Sequence, residues 1–458
     1  MMSKKKIVKF IDLFAGLGGI RLGMEKAFKD QSINTDCVLT SEIKPYSIET
    51  LMHNFKHHNF RGDLFEIDNE SIPDFDFLLG GFPCQPFSAG GRRKGFLDTR
   101  GTLFFEIERI LASKKPYGFI LENVEGLVKH DLEYKDDTIG QTLKTILFKL
   151  KELGYQVTWN VLDSVDFGLA QSRKRVFIVG TKDVSIDLNF EKFEFKVLRD
   201  IIESGKETMK TEMVDKLLAN FDIEDLYGKS IKDKRGGDNN IHSWDIGLKG
   251  DISEEQSLLL NKLFKERRKK HWAEKIGIKW MDGMPLTLRQ IGTFHNPDLF
   301  GNGSDLKNML DDLVNKGYLR FEHPKELVLE ETENGKVSKR IYDESKPKGY
   351  NIVTGKLSFE INKILNPNDI APTLVATDVL KLVVPDGKGL RRLTKREGLR
   401  LFGYPESYEI PVSIVKAFDL LGNTVAVPVV NAIAERMVDP FIQYQMNKGK
   451  AVKGAEII

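Results

Sequence analysis

Over the first 180 residues, short apolar runs alternate with amphipathic stretches, and the connections between them are brief. "KIVKFIDLFAG", "CVLTSEI", "FDFLLGG", "YGFILENV" and "KRVFIVGT" have the composition of buried strands. "IRLGMEKAFK", "SIETLMHNF", "TLFFEIERILASKK" and "TLKTILFKLKELG" place apolar residues at helical spacing between them. A strand followed by a helix of this length returns to the sheet by a right-handed crossover, parallel to the strand before it. The expectation is an α/β fold, a doubly wound and mainly parallel sheet. Such a sheet offers its ligand site at the carboxyl ends of the strands.

After residue 184 the alternation fades. Residues 185–387 are charge-rich and broken by "KRGGDNN" and "NPDLFGNGSD", while "DLKNMLDDLVNKGYLRFEH" reads as a helix and then a strand. This stretch is expected to be a smaller, irregular α+β domain. Helical periodicity returns at "LTKREGLRLFGY" and "GNTVAVPVVNAIAERMVD", so residues 388–458 are expected to rejoin the domain begun by 1–184. Two cysteines in 458 residues exclude a disulfide framework, and Cys37 and Cys84 offer no paired spacing for zinc. His57, His58 and His130 bring no companion ligands, so no metal is expected. A reduced, cytoplasmic protein is the default, without a membrane span or signal peptide. Nothing marks a dimer interface, so a monomer is expected. The net charge of +2 is uninformative, but basic residues cluster at Arg92, Arg93 and Lys94, at 262–272 and at 390–400. One such cluster is usually a solvated face; three beside glycine-rich or aromatic segments raise nucleic acid as a partner. Trp244, Trp272 and Trp280 suit core packing, with nucleotide stacking as the alternative.

Four places along the sheet carry chemistry. In "IDLFAGLGGIRLGME", Gly16, Gly18 and Gly19 sit between a strand and a helix, where glycine allows a tight turn and close approach of a ligand. Glu42 follows Gly18 by 24 residues at the next strand's end, where a carboxylate takes ribose hydroxyls. The G-x-G-G pattern departs from dinucleotide spacing, which disfavours a nicotinamide cofactor and favours a nucleoside without a pyrophosphate, such as S-adenosylmethionine. A tight structural turn is the plain alternative. Cys84 ends "FDFLLGGFPC" at the same sheet edge, between prolines and ahead of a glycine-rich basic stretch. Nearby cations favour the thiolate, so a nucleophile competes with a buried structural thiol. Glu122, leaving an apolar strand in "FILENVEGL", is a candidate general acid, or else a turn carboxylate. Alternation puts Arg173 and Arg175 on one strand face, where they suit a carbonyl or phosphate, or surface ion pairs.

"FAGLGG", "GGFPCQPFS", "ENVEGL", "QSRKR", "RRLTKREGLRLFGYP" and "GNTVAVPV" occur in this order. Together they resemble the ordered motifs of the DNA cytosine-5 methyltransferases, particularly the bacterial restriction–modification (type II) kind. The resemblance covers roughly residues 7–184 and 388–440. It implies a Rossmann-like, S-adenosylmethionine-dependent methyltransferase sheet with 185–387 as the target recognition domain. It implies transfer of a methyl group to C5 of a flipped-out cytosine in double-stranded DNA, with S-adenosylhomocysteine as product. In this likeness Cys84 matches the nucleophile that attacks C6, Glu122 the carboxyl at N3, and Arg173 and Arg175 the pair near the base carbonyl. Phe14, Ala15, Gly16, Leu17, Gly18, Gly19, Glu42, Ile43, Asp63, Leu64, Pro83, Leu103, Asn423 and Thr424 match the cofactor pocket. Gln85, Ser88, Arg92, Arg93, Gln171 and Thr373 are the expected DNA contacts. The likeness also implies a host-protective role beside a cognate restriction endonuclease. A tRNA cytosine-5 methyltransferase and a non-catalytic DNA-binding module are the rival readings. The long insert speaks against the first, and the intact Cys84, Glu122 and cofactor loop against the second.

Overall fold

The computed structural model describes residues 7–56, 59–83, 102–134, 136–233, 239–278, 283–295, 305–332, 335–353 and 359–455. They divide into two compact units, and the first is discontinuous: residues 1–204, 366–380 and 393–458. The second comprises 205–365 and 381–392.

The first unit opens with β1 (Val8–Leu13), α1 (Gly19–Asp30), β2 (Thr35–Ser41), α2 (Pro45–Asn54) and β3 (Phe60–Arg61). It continues with β4 (Phe77–Gly81), α3 (Thr102–Lys114), β5 (Gly118–Val124), α4 (Gln141–Glu152), β6 (Gln156–Asp163) and β7 (Lys174–Thr181). The seven strands lie in the order β3-β2-β1-β4-β5-β7-β6. β1 to β5 run parallel, and β7 runs antiparallel to both of its neighbours. This is the expected doubly wound sheet with one addition. "QVTWNVLD", which is absent from the strands expected of the sequence, forms β6 and pairs with β7 along its whole length. Its two faces explain both the strand and its faint apolar signal. Val157, Trp159 and Val161 pack on the core, while Thr158 and Asn160 donate to the carbonyls of Ile186 and Leu188. Ile186 and Leu188 are buried in the same unit. That is why this unit runs to residue 204, whereas the sequence suggests a boundary at 185.

The second unit holds α5 (Glu212–Asn220), β8 (Ser230–Ile231), β9 (Asn240–Ile241), α6 (Glu254–Glu266), α7 (Lys270–Glu274), α8 (Leu288–Gly292) and α9 (Leu306–Asn315). β10 (Leu319–Glu322), β11 (Lys325–Thr332), β12 (Gly335–Tyr342), β13 (Gly349–Ile352), β14 (Lys363–Ile364), β15 (Leu382–Asp386) and β16 (Gly389–Arg392) follow. A small sheet runs β16-β15-β14-β8-β9, and β10–β13 and β11–β12 pair separately. Trp244 and Trp272 are buried in this unit's own apolar cluster with Leu260, Leu263 and Tyr318, so they pack the core. Trp280 lies outside the described residues.

The chain returns to the first unit through α10 (Lys395–Leu401), α11 (Ile414–Asn423) and α12 (Val427–Ala455). Alternate residues of the large sheet face opposite sides. Phe10, Phe77, Ile120 and Phe177 meet α1 and α12 on one side. Ile11, Leu78, Phe119 and Ile178 meet α3 and α4 on the other. α12 lies so close to α1 that a Cβ on Gly23 would fall 2.7 Å from Val430 Cβ and 2.8 Å from the Asn431 nitrogen. No single helix among the described residues is long and apolar enough to cross a membrane.

Candidate active site

The loop after β1 turns through positive φ at Phe14 (56°), Gly16 (55°) and Gly18 (68°). Two glycines take two of these left-handed positions without penalty; Phe14 must be held there by its surroundings. Glu42, at the carboxyl end of β2, supplies part of that hold. Its Oε2 accepts the Gly16 N–H at 2.8 Å, and its Oε1 accepts the N–H groups of Ile43 and Lys44 at 2.8 and 2.9 Å. The Ala15 N–H donates to the Ser41 carbonyl, and the Ser47 hydroxyl donates to the Gly16 carbonyl. One carboxylate therefore joins the glycine loop to the start of α2. Oε2, with a single bond accepted here, retains a lone pair for a ribose hydroxyl. Ile43 beside it is 68% exposed, an apolar surface at the sheet's ligand edge. Asp63 caps a short turn by accepting the Phe65 N–H at 3.1 Å, and Leu64 is buried beneath it. This cradle suits a nucleoside cofactor.

The other expected cofactor residues lie on the same unit. Pro83 is exposed just past β4, and Leu103 is half-buried at the start of α3. Leu17 is buried, its carbonyl accepting the Tyr408 hydroxyl at 2.7 Å. Asn423 ends α11, where its Nδ2 donates to the Asp419 carbonyl. Thr424 is buried with its Oγ1 2.5 Å from the Tyr404 hydroxyl. Gly19 makes room for this pair: a Cβ there would lie 2.7 Å from that hydroxyl.

Glu122 stands at the end of β5 with its side chain almost wholly enclosed. Parallel pairing sets it against Gly81 of β4, where a Cβ would sit 3.3 Å from Glu122 Oε2. Antiparallel pairing sets it against Phe177, so Arg175, two residues earlier on β7, shares its face. Arg175 Nε lies 3.1 Å from Glu122 Oε1. Burial raises the Glu122 pKa above the ordinary carboxylate value, against the opposing pull of Arg175 and Arg173. Asn123 follows, donating to the Phe82 carbonyl at 3.1 Å and so tying β5 to the chain just before Cys84. Cys84, Gln85, Ser88, Arg92 and Arg93 lie outside the described residues, as do His57 and His58. Cys37, by contrast, is a buried thiol pushed up to about 12, with Sγ 3.4 Å from Thr40 Oγ1.

Two expectations change. Gln171, expected among the DNA contacts, is fully buried and spends both ends of its amide on main chain. Its Nε2 donates to the Leu401 carbonyl at 3.0 Å and its Oε1 accepts the Leu374 N–H at 3.1 Å. Arg173, expected near the base carbonyl, is 3% exposed. Its Nη1 and Nη2 donate to the carbonyls of Leu374 and Gly422, each at 3.1 Å. Strand alternation correctly puts Arg173 and Arg175 on one face, but tertiary packing covers the first and leaves the second beside Glu122. Thr373 is half-buried and donates to the Ser172 carbonyl at 2.7 Å.

Asp12 has no place among the residues expected from the sequence. It sits in the middle of the apolar run of β1, and burial pushes its pKa up to about 7 in spite of nearby Arg21. Its Oδ2 is buried without a hydrogen-bond partner. A carboxyl inside "KFIDLF" was the available signal, since an acid in a core strand is rarely incidental.

A sheet whose last paired strand runs antiparallel, with a glycine loop tied to an acid at the end of β2, defines an S-adenosylmethionine-dependent methyltransferase. The chain belongs to the C-5 cytosine-specific DNA methylase family, whose model matches residues 8–439. It is therefore a DNA cytosine-5 methyltransferase with S-adenosylmethionine as methyl donor. It is 56% identical over 431 residues to the type II methyltransferase M.NlaIV of Neisseria lactamica, covering 94% of this chain and 99% of that one. It is 40% identical over 467 residues to the type II methyltransferase M.BanI of Aneurinibacillus aneurinilyticus, covering 96% and 97%. Among solved structures, the Entamoeba histolytica methyltransferase EhMeth matches in fold with a TM-score of 0.51. That match has 15% identity and covers 95% of this chain and 99% of the other.

Proposed function

We propose that the protein is a sequence-specific type II methyltransferase that modifies cytosine through a covalent adduct with Cys84. The observation that carries the mechanism is Glu122, a buried acid with a raised pKa, braced by Arg175 and set beside Gly81, two residues before Pro83 and three before Cys84. C5 of cytosine is a weak nucleophile. Addition of the Cys84 thiolate to C6, with a proton passing from Glu122 to N3, converts C5 into an enamine carbon. A carboxyl whose pKa is raised by burial holds its proton more readily than an exposed one, which suits that donation. Arg175, holding Oε1, leaves Oε2 for the base. S-adenosylmethionine, when bound, supplies an electrophilic methyl on its sulfonium; the loop from Phe14 to Gly19, Glu42, Ile43, Asp63, Leu103, Asn423 and Thr424 would hold it. Once C5 carries the methyl group, a base, for which solvent suffices, takes the C5 proton, and the Cys84–C6 bond breaks to return the thiolate. N3 gives its proton back to the Glu122 carboxylate, which restores the neutral aromatic ring.

The reacting carbon is inaccessible inside stacked duplex, so the target nucleotide is turned out into the site. Gln85, Ser88, Arg92 and Arg93 follow the nucleophile in sequence and are assigned to the DNA; Thr373 is assigned to the target backbone. Residues 205–365 and 381–392 are assigned to base recognition. The type II names of both relatives support a protective role alongside a restriction endonuclease. Bisulfite sequencing of DNA from cells expressing the protein tests the reading. The expected result is one short sequence context with fully converted surroundings and a protected cytosine. Modification confined to tRNA, or no protected cytosine in DNA, would overturn it.

A further inference from the structure

Gln171 and Arg173 share a task that no base contact requires. Between them they grip both ends of one residue's main chain: the Leu374 N–H donates to Gln171 Oε1, and Arg173 Nη1 donates to the Leu374 carbonyl. Each side chain then extends its other arm to the C-terminal part of the same unit. Gln171 Nε2 holds the Leu401 carbonyl, just ahead of the turn that carries Tyr404. Arg173 Nη2 holds the Gly422 carbonyl, just ahead of Asn423 and Thr424. The two arms converge, because the Tyr404 hydroxyl lies 2.5 Å from Thr424 Oγ1.

The gripped segment is closely fitted. Ala371 donates to the Ala170 carbonyl and accepts from the Ser172 N–H, and Thr373 Oγ1 donates to the Ser172 carbonyl. On the far side a Cβ on Gly422 would fall 2.3 Å from the Ala376 nitrogen, so the two backbones move together or collide. The segment's place in the chain gives these contacts a purpose. Residues 366–380 belong to the first unit but lie in sequence between the two stretches of the second, 205–365 and 381–392.

We propose that Gln171 and Arg173 are positioning residues, a brace through which the segment 371–376 and the Asn423–Thr424 turn are held in one arrangement or released together. Binding of DNA through the second unit and binding of cofactor at Asn423 and Thr424 are thereby thermodynamically coupled. This rests on the functional reading above. Burial makes the brace closer to two-state than graded. Releasing one arm leaves a guanidinium N–H or an amide unpaired in the interior, and Arg173 Nε is already buried without a partner. The bridge also needs the planar fork of arginine, because an ammonium group cannot present two divergent donors from a fixed plane.

The test is the affinity of the full-length protein for S-adenosylhomocysteine by calorimetry, with and without a duplex bearing the site found by bisulfite sequencing. Coupling between sites is typically about 5–150-fold and reciprocal. Wild type is expected to bind the nucleoside several-fold or more tightly on DNA. In Arg173→Lys that ratio should collapse towards one, whatever change the released turn brings to affinity without DNA. A role in packing alone predicts weaker binding in both conditions with the ratio intact, and that result overturns the proposal. A second measurement needs no variant: S-adenosylhomocysteine should slow amide hydrogen exchange at Ala371, Ser172 and Leu374 in wild type, and unchanged exchange there also overturns it. A wild type that methylates its duplex yet shows no coupling refutes the brace and leaves the enzymatic reading standing. A wild type that methylates no DNA refutes the enzymatic reading itself.

Discussion

Replacing Asp12 by asparagine tests whether this carboxyl is a proton-holding liability of the core. In the folded protein burial carries its pKa from the ordinary 3.8 to about 7. The folded state therefore binds a proton that the unfolded chain has already lost, over the window from roughly pH 4 to 7. Within that window stability must fall as pH rises, and the loss is complete above the folded value. At about 1.4 kcal/mol per pH unit, wild type should lose roughly 2–3 kcal/mol from this group between pH 5 and pH 8. The amide introduced by Asp12→Asn cannot titrate, so the variant's stability curve lacks that component; other titrating groups cancel in the difference. The assay is urea unfolding of both proteins at half-unit pH steps, with the midpoints converted through a common slope. D12N should be the less stable or equal partner at pH 5 and gain on wild type steadily up to pH 8. Parallel curves would refute the assignment, and so would a gap that widens in the opposite sense, since either means the folded pKa is not raised.

Glu122→Gln keeps the shape and removes the proton, so kcat should drop by about 10²–10⁴-fold with DNA affinity little changed, as single-turnover kinetics and a binding assay would show. Because burial raises the Glu122 pKa, wild-type rate should decline with rising pH as this acid deprotonates, and that limb should vanish in E122Q. DNA carrying 5-fluorocytosine at the target should leave a stable protein–DNA adduct, visible as a shifted band under denaturing conditions, because fluorine cannot depart as the C5 proton does. Cys84→Ser should abolish that band, and an adduct persisting in C84S would refute the covalent role of Cys84. Gly23→Ala forces a methyl group against Val430 and the Asn431 nitrogen, which should cost roughly 1–3 kcal/mol; an unchanged melting temperature would show that α12 can shift to accommodate it.

The fold was readable where periodicity was clean. Each strand of the parallel part with an unbroken apolar run was recognisable, whereas β6 was not. Its outward face carries Thr158 and Asn160, whose partners lie 28 residues further along in an extended stretch that nothing in the pattern of β6 announces. The same hydrogen bonds hid the limit of the first unit. At the site, residue type and spacing were enough to single out Glu42 and Glu122 as candidates, since the carboxyl ends of the strands are where such a sheet places its ligand. Gln171 and Arg173 were legible as residues of consequence but not as to task. Whether a guanidinium meets a substrate or two carbonyls 201 and 249 positions away is decided by tertiary closure, which a single sequence does not display.

The small sheet of the second unit has a bearing on how such enzymes can be rebuilt. Its order, β16-β15-β14-β8-β9, joins strands from before and after residues 366–380. β15 pairs with β14 in parallel at Lys363–Leu382 and Ile364–Val383, and with β16 in antiparallel. A cassette cut at 205 and 365 would leave β15 and β16 behind as an edge without its neighbour, exposing unpaired backbone and the buried side of Val383 and Leu390. Exchange of this unit between relatives therefore requires two splices made together, one on each side of the braced segment. A cassette that moves 205–365 alone should be recovered as insoluble protein where the parents differ at the β14–β15 pairing.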